Sequence, residues 1–257
     1  MMINAMTILE SILSIAINIE LDNNERYIAT KVFEYCLEID KMTLTEFLNL
    51  TNINNNQFKR FYQNLNCPNY ATFKQYLTLW CEMRKKQLQE RCNFEHILTN
   101  AKVLIDLTNY IDLVDFLNLE MIDAICNEIK QSKRIIMYGS PAMLNFSHDL
   151  QIDLKMLGKN AIRSSLNDDL AIIPHQGDFI WFFTMTNRTT SFLGGKIRTE
   201  IFSSNCKKLL ITQNEVGIDS DYVLKMNLND ASLDFYYILL FYFDLLKVRY
   251  YLNYKED

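Results

Sequence analysis

The chain has 257 residues, 49% hydrophobic and 22% charged, with a formal net charge of −5. That length accommodates two domains with separate cores, and the acidic balance excludes a uniformly basic nucleic-acid coat. Cys36, Cys67, Cys81, Cys92, Cys126 and Cys206 include no CxxC pair and no histidine at ligand spacing, so neither a zinc site, nor another cofactor, nor a disulfide framework is expected.

Residues 1–20 have the spacing of an amphipathic helix, with no basic n-region and no small-residue cleavage site. They read as a helix rather than a signal peptide. The longest apolar run, FYYILLFYFDLLKVRYYL, is broken by charge, so no membrane span is expected. The expected location is reducing and cytoplasmic. Asp22-Asn23-Asn24 then caps a helical stripe of Ile28, Val32, Tyr35 and Ile39.

The most informative segment is Thr43 to Leu65, TLTEFLNLTNINNNQFKRFYQNL. It predicts two short helices joined by a tight polar turn. Phe58, Phe61, Tyr62 and Leu65 form the i, i+3, i+4, i+7 stripe of a helix with one buried face. Asn55, Asn56, Lys59 and Gln63 remain on the outer face, with Asn54 at the N-cap. Amides of this kind pair with adenine edges, and Lys or Arg holds phosphates. The predicted DNA-contacting set is Thr43, Thr45, Asn54, Asn55, Asn56, Lys59, Arg60, Gln63 and Lys74. Asn55, Asn56 and Lys59 are assigned to base edges; Arg60, Thr43, Thr45 and Lys74 contact phosphate or brace the helix. A helical hairpin with an ordinary polar surface is the plainer reading.

Charge supports the first reading. Residues 1–51 carry 3 Lys/Arg against 8 Asp/Glu, residues 52–91 carry 7 against 2, and residues 92–257 carry 16 against 21. The positive excess begins at the outward helix face and continues through Lys74, Arg84, Lys85, Lys86 and Arg91, the usual footprint of phosphate contact. Pro68 ends the helix, Tyr70 to Leu88 predicts another, and helical segments continue from Asn93 to Ile129.

From Lys133 the period changes. RIIMY, DFIWFFT, KLLIT and Tyr222 to Met226 are short apolar runs, the first followed by a helical pattern over 142–157 and the second by one over about 191–203. Buried strands alternating with helices predict a parallel sheet flanked by helices on both faces; a long helix over roughly 233–252 closes the chain. Ligands of such sheets sit beyond the carboxyl ends of the strands. Gly139, Ser140, Thr184, Thr186, Asn187, Thr189 and Thr190 fall there and suit a small anion, although Ser and Thr also serve simply as caps.

Both halves resemble one family, the RpiR-type transcriptional regulators, in which a helix-turn-helix domain precedes a sugar isomerase (SIS) domain. The first half is similar through Glu25-Arg26-Tyr27-Ile28-Ala29, Leu44-Thr45-Glu46-Phe47-Leu48, Ile53-Asn54, Phe58-Lys59-Arg60-Phe61 and Asn69-Tyr70-Ala71-Thr72-Phe73-Lys74. Leu65-Asn66 stands where the family has Leu-Gly, and Asn also tolerates the left-handed conformation. In the second half, Ile135 to Pro141 matches the first strand and turn, and Gly177-Asp178 the step before the next strand. Thr184-Met185-Thr186-Asn187-Arg188-Thr189 occupies the phosphosugar loop, with Asn187 in place of its Gly. Pro141 removes one amide donor beside the first turn.

The resemblance implies an all-α helix-turn-helix domain over 1–90, a helical connector over 91–127 and an α/β SIS-like domain over 128–257. It implies a double-stranded DNA operator, a phosphorylated-sugar effector, and a homodimer or dimer of dimers, with no catalysis. Two alternatives stay open. One is a SIS-fold sugar-phosphate isomerase or lyase, with His148, His175 or the more distant Glu200 as base; the other is a regulator whose SIS half only dimerises.

Overall fold

The computed structural model describes residues 7–17, 21–108, 118–165, 172–184, 195–213, 217–226 and 234–254. The chain divides into two compact units, Met1–Gln87 and Leu88–Asp257.

The first unit is helical among its described residues: α1 (Ile8–Ile17), α2 (Asn23–Glu34), α3 (Leu44–Thr51), α4 (Asn55–Asn64) and the greater part of α5 (Tyr70–Arg91). The helix predicted through Ile39 ends as α2 at Glu34; turns and a 3₁₀ segment over Ile39–Lys41 follow. Helix ends are set by short polar side chains. Asp22 caps α2, and Thr43 closes a capping box on α3 with Glu46. Asn52 ends α3 at φ 55° and Asn66 follows α4 at φ 57°, left-handed positions that Asn tolerates better than most residues. The unit's core is aromatic. The Phe58 ring lies 5.0 Å from Phe47, 5.5 Å from Tyr62, 5.7 Å from Phe73 and 6.0 Å from Tyr70.

The second unit holds α6 (Phe94–Thr108), α7 (Leu119–Gln131), β1 (Arg134–Gly139), α8 (Pro141–Phe146), α9 (His148–Met156), β2 (Ala161–Ser165), β3 (Asp178–Thr184), α10 (Gly195–Phe202), β4 (Lys207–Thr212), β5 (Tyr222–Lys225) and α11 (Asp234–Tyr254). The strands form one five-stranded sheet in the order β2-β1-β3-β4-β5, with every pairing parallel. Ile180 and Phe182 face one side with Tyr138, Leu210 and α10 residue Ile201. On the other side Phe183 meets α11 residue Phe243 at 5.4 Å. Both faces are therefore covered, as buried parallel strands require.

Two features depart from expectation. Residues 161–165, AIRSS, form a fifth strand at the edge of the sheet; Arg and two Ser interrupt the apolar run that would have marked it. The single helix expected over 142–157 is two, divided at Ser147. Ser147 is buried, and its hydroxyl and its amide both bond Leu144 O (2.8 and 3.2 Å), closing α8.

At the amino edge of the sheet, Arg134 donates from Nε and Nη2 to Asp178 Oδ1 and Oδ2, at 2.9 and 2.5 Å. The His175 amide also donates to Asp178 Oδ2 at 2.8 Å. Burial alone would raise the Asp178 carboxyl, but Arg134 and the amide override it and hold it below its usual range. A folded-state value below the unfolded one, about 3.9, gives stability that is fully present above about pH 4. It is lost as pH falls through the folded value. Arg134→Leu leaves a buried carboxylate without its counter-ion and is expected to cost about 3 kcal/mol at pH 7, with the gap to the wild type narrowing below pH 4. Urea denaturation at the two pH values measures this; equal midpoints at pH 7 would contradict it.

Candidate functional site

Two surfaces carry the residues singled out by sequence, one in each unit. In the first, Asn54 Oδ1 accepts from the Asn56 and Gln57 amides at 2.9 and 3.4 Å, so the Asn54 oxygen is spent on starting α4. Phe58, Phe61 and Tyr62 are buried, and this fixes which face of α4 points outward. Asn55, Asn56, Gln57, Lys59, Arg60 and Gln63 are all exposed. No acidic residue lies on α4. Thr45 is exposed on the first turn of α3.

Thr43 and Lys74 have internal work. The Thr43 hydroxyl accepts from the Glu46 amide (3.2 Å) and donates to Glu46 Oε2 (2.8 Å). Lys74 Nζ donates to the carbonyls of Asp40 and Met42 at 3.2 and 3.4 Å and lies 5.8 Å from the Tyr70 ring centroid. Both residues brace the segment that leads into α3.

The second surface is the carboxyl edge of the sheet. In the order β2-β1-β3-β4-β5 the chain leaves β1 toward one side and β3 toward the other. The switch point of the sheet therefore lies between these neighbouring strand ends, the position at which α/β sheets hold ligands. Gly139 ends β1, and a Cβ there would lie 3.3 Å from Met143 Cβ and 3.4 Å from both Phe183 Cβ and Phe183 O. Glycine thus permits the close approach of β1 to β3. Ser140, half-buried, accepts from the Met143 amide at 3.4 Å through Oγ and caps α8. Thr184 ends β3, buried, in register with the equally buried Thr212 of β4. Thr186, Asn187, Thr189 and Thr190 lie outside the described residues.

Sequence reasoning did not single out Thr212 and Gln213, both 1% exposed at the end of β4. The available signal was their position directly after an apolar run, the place that drew attention to Ser140 and Thr184. It also missed Arg163. This β2 side chain is 6% exposed and donates from Nε to Gln151 Oε1 (2.6 Å) and from Nη1 to Leu144 O (3.2 Å). Nη2 lies 3.1 Å from His148 Nδ1. A guanidinium only donates, so Nδ1 is the acceptor and the proton of a neutral imidazole sits on Nε2. Its three partners are uncharged, and burial lowers the Arg163 pKa to about 10.

The residues weighed as bases are dispersed. His148 starts α9 and is held by Arg163. His175 is exposed three residues before Asp178 at the amino edge, at the opposite end of the strands from the switch point. Glu200 is half-buried on α10. Among the described residues no group of His, Cys, Asp or Glu is arranged to hold a metal ion, and no helix is long and apolar enough to cross a membrane.

No protein-family model matches the chain, and no curated protein matches it. Solved structures similar to this chain include the following two. The NanR protein of Vibrio vulnificus, complexed with ManNAc-6P, aligns over 98% of this chain and 92% of its own at 15% identity, with a TM-score of 0.46. A hypothetical protein of Methanococcus jannaschii, for which a 3-hexulose-6-phosphate isomerase function is inferred, aligns over 64% of this chain and 92% of its own. Its identity is 11% and its TM-score 0.45.

Proposed function

We propose that this chain is a DNA-binding transcriptional regulator of the RpiR type, whose SIS-like half binds a phosphorylated sugar or a related anionic metabolite. The observation that carries the DNA-binding reading is α4. One face is locked into an aromatic core while the other presents amides and cations to solvent with no acidic residue among them. The turn Asn52-Ile53-Asn54 joins α3 to α4, and the pair serves as a helix-turn-helix with α4 entering the major groove. A homodimer would present two such helices to a roughly palindromic operator.

The effector reading rests on the switch point between β1 and β3, where Ser140 and Thr184 stand at neighbouring strand ends and Gly139 lets the backbones close up. The position of His175 at the far edge, and the tie of His148 to Arg163, favour binding over turnover. An effector changes operator affinity only to the extent that it binds the DNA-competent and incompetent arrangements differently.

Each half has its own test. Fluorescence anisotropy with duplex DNA across a salt series is expected to show a steep negative log–log slope, which Lys59→Ala reduces by about one. A slope near zero, or one unchanged by Lys59→Ala, would remove the DNA-binding reading. In thermal-shift titrations, one member of a sugar-phosphate panel is expected to stabilise the protein by about 2.7 kcal/mol at 100-fold over its Kd. Ser140→Ala should weaken that response. If no sugar phosphate shifts the transition, the second half is a dimerisation scaffold; turnover of one would make it an isomerase.

A further inference from the structure

The outward face of α4 has an order that bears on which base pairs it contacts. With Phe58, Phe61, Tyr62 and Leu65 buried and about 100° of rotation per residue, the side chains most directly opposite the core are Asn56, Arg60 and Gln63. They fall within roughly 60° of one another. Asn55 and Gln57 lie toward the flanks, and Lys59 sits to one side of the row. Asn56, Arg60 and Gln63 are exposed, and none of their side chains enters a hydrogen bond or ion pair with the described residues, whereas the Asn54 oxygen is occupied by its cap. Along the helix the row reads amide, guanidinium, amide.

We infer that Asn56 and Gln63 each pair with an adenine and Arg60 with a guanine, so that the operator half-site places A·T pairs on either side of a G·C pair. This rests on the DNA-binding reading above. An amide matches the N6 donor and N7 acceptor of adenine, and a guanidinium matches O6 and N7 of guanine. A carboxylate, which would accept from cytosine N4, is absent from α4. Asn56 to Arg60 rises about 6 Å and Arg60 to Gln63 about 4.5 Å, so the row spans about three steps of B-DNA at 3.4 Å each. Lys59, to one side of the row, meets phosphate and adds affinity without adding preference.

Selection of bound duplexes from a random library by the full chain, followed by affinity measurements on single-pair variants of the selected site, tests this. The selected half-site is expected to hold A·T, G·C and A·T within about four pairs, and exchanging any one of them should cost about 10-fold. Arg60→Ala should erase the penalty at the G·C pair and leave those at the A·T pairs. Asn56→Ala and Gln63→Ala should each erase the penalty at one A·T pair. Lys59→Ala should weaken every duplex by the same factor. Salt-dependent binding with no base preference, or with a preference that survives all three row substitutions, overturns this inference while leaving the DNA-binding reading in place. A chain that retains no duplex at any salt concentration overturns both.

Discussion

The burial of Phe58 is the constraint on which the first unit depends. Its ring is enclosed by Phe47 from α3, Tyr62 from α4 itself, and Tyr70 and Phe73 from α5. A helix enclosed on one side at so many points has one rotational setting. Turning α4 by one residue would carry Lys59 toward the core, and burying an unpaired ammonium is far more costly than exposing a phenyl ring. The same packing that stabilises the unit thus selects which amides and cations meet solvent. The polar ends reinforce it: Asn54 fixes where α4 begins, and the left-handed Asn52 and Asn66 fix how the chain enters and leaves.

The second unit solves a different problem. Apart from the edge strand β2, this buried parallel sheet keeps its charged and hydroxyl-bearing aliphatic residues near the strand ends, and here the two ends differ. The amino edge is closed by the Arg134–Asp178 ion pair and the His175 amide. The carboxyl edge collects Ser140, Thr184, Thr212 and Gln213, small neutral groups able to donate and accept hydrogen bonds. Such an edge suits an anion that brings its own charge. Arg163, beneath α8 and α9, anchors those helices to the edge strand through uncharged acceptors.

Much of this was legible because local chemistry and tertiary packing agree. The stripe from Phe58 to Leu65, the Asn54 cap and the alternation of apolar runs with helical patterns are signals within a few residues, and the structure contains helices and strands there. What escaped was set by distance. AIRSS becomes a strand because Ile135 to Gly139 lies alongside it, which no short window reveals. The division of α8 from α9 depends on a buried Ser147 hydroxyl. For Thr43 and Lys74 residue type allowed either phosphate contact or bracing of the helix; the fold shows the first bonded to Glu46 and the second to carbonyls of Asp40 and Met42. Residue type announces what a side chain can do, while its neighbours decide whether it is at liberty to do it.

The central claim is that the exposed face of α4 meets a nucleic-acid duplex and not protein. Site-specific photo-crosslinking addresses it directly: a benzophenone amino acid is placed at position 56, at position 60, or at the exposed position of Glu38 in the acid-rich turn after α2, and the protein is irradiated with duplex DNA. Covalent DNA adducts from positions 56 and 60, and none from position 38, are the predicted result. Adducts from positions 56 and 60 that join two copies of the chain, with DNA left unmodified, would contradict it.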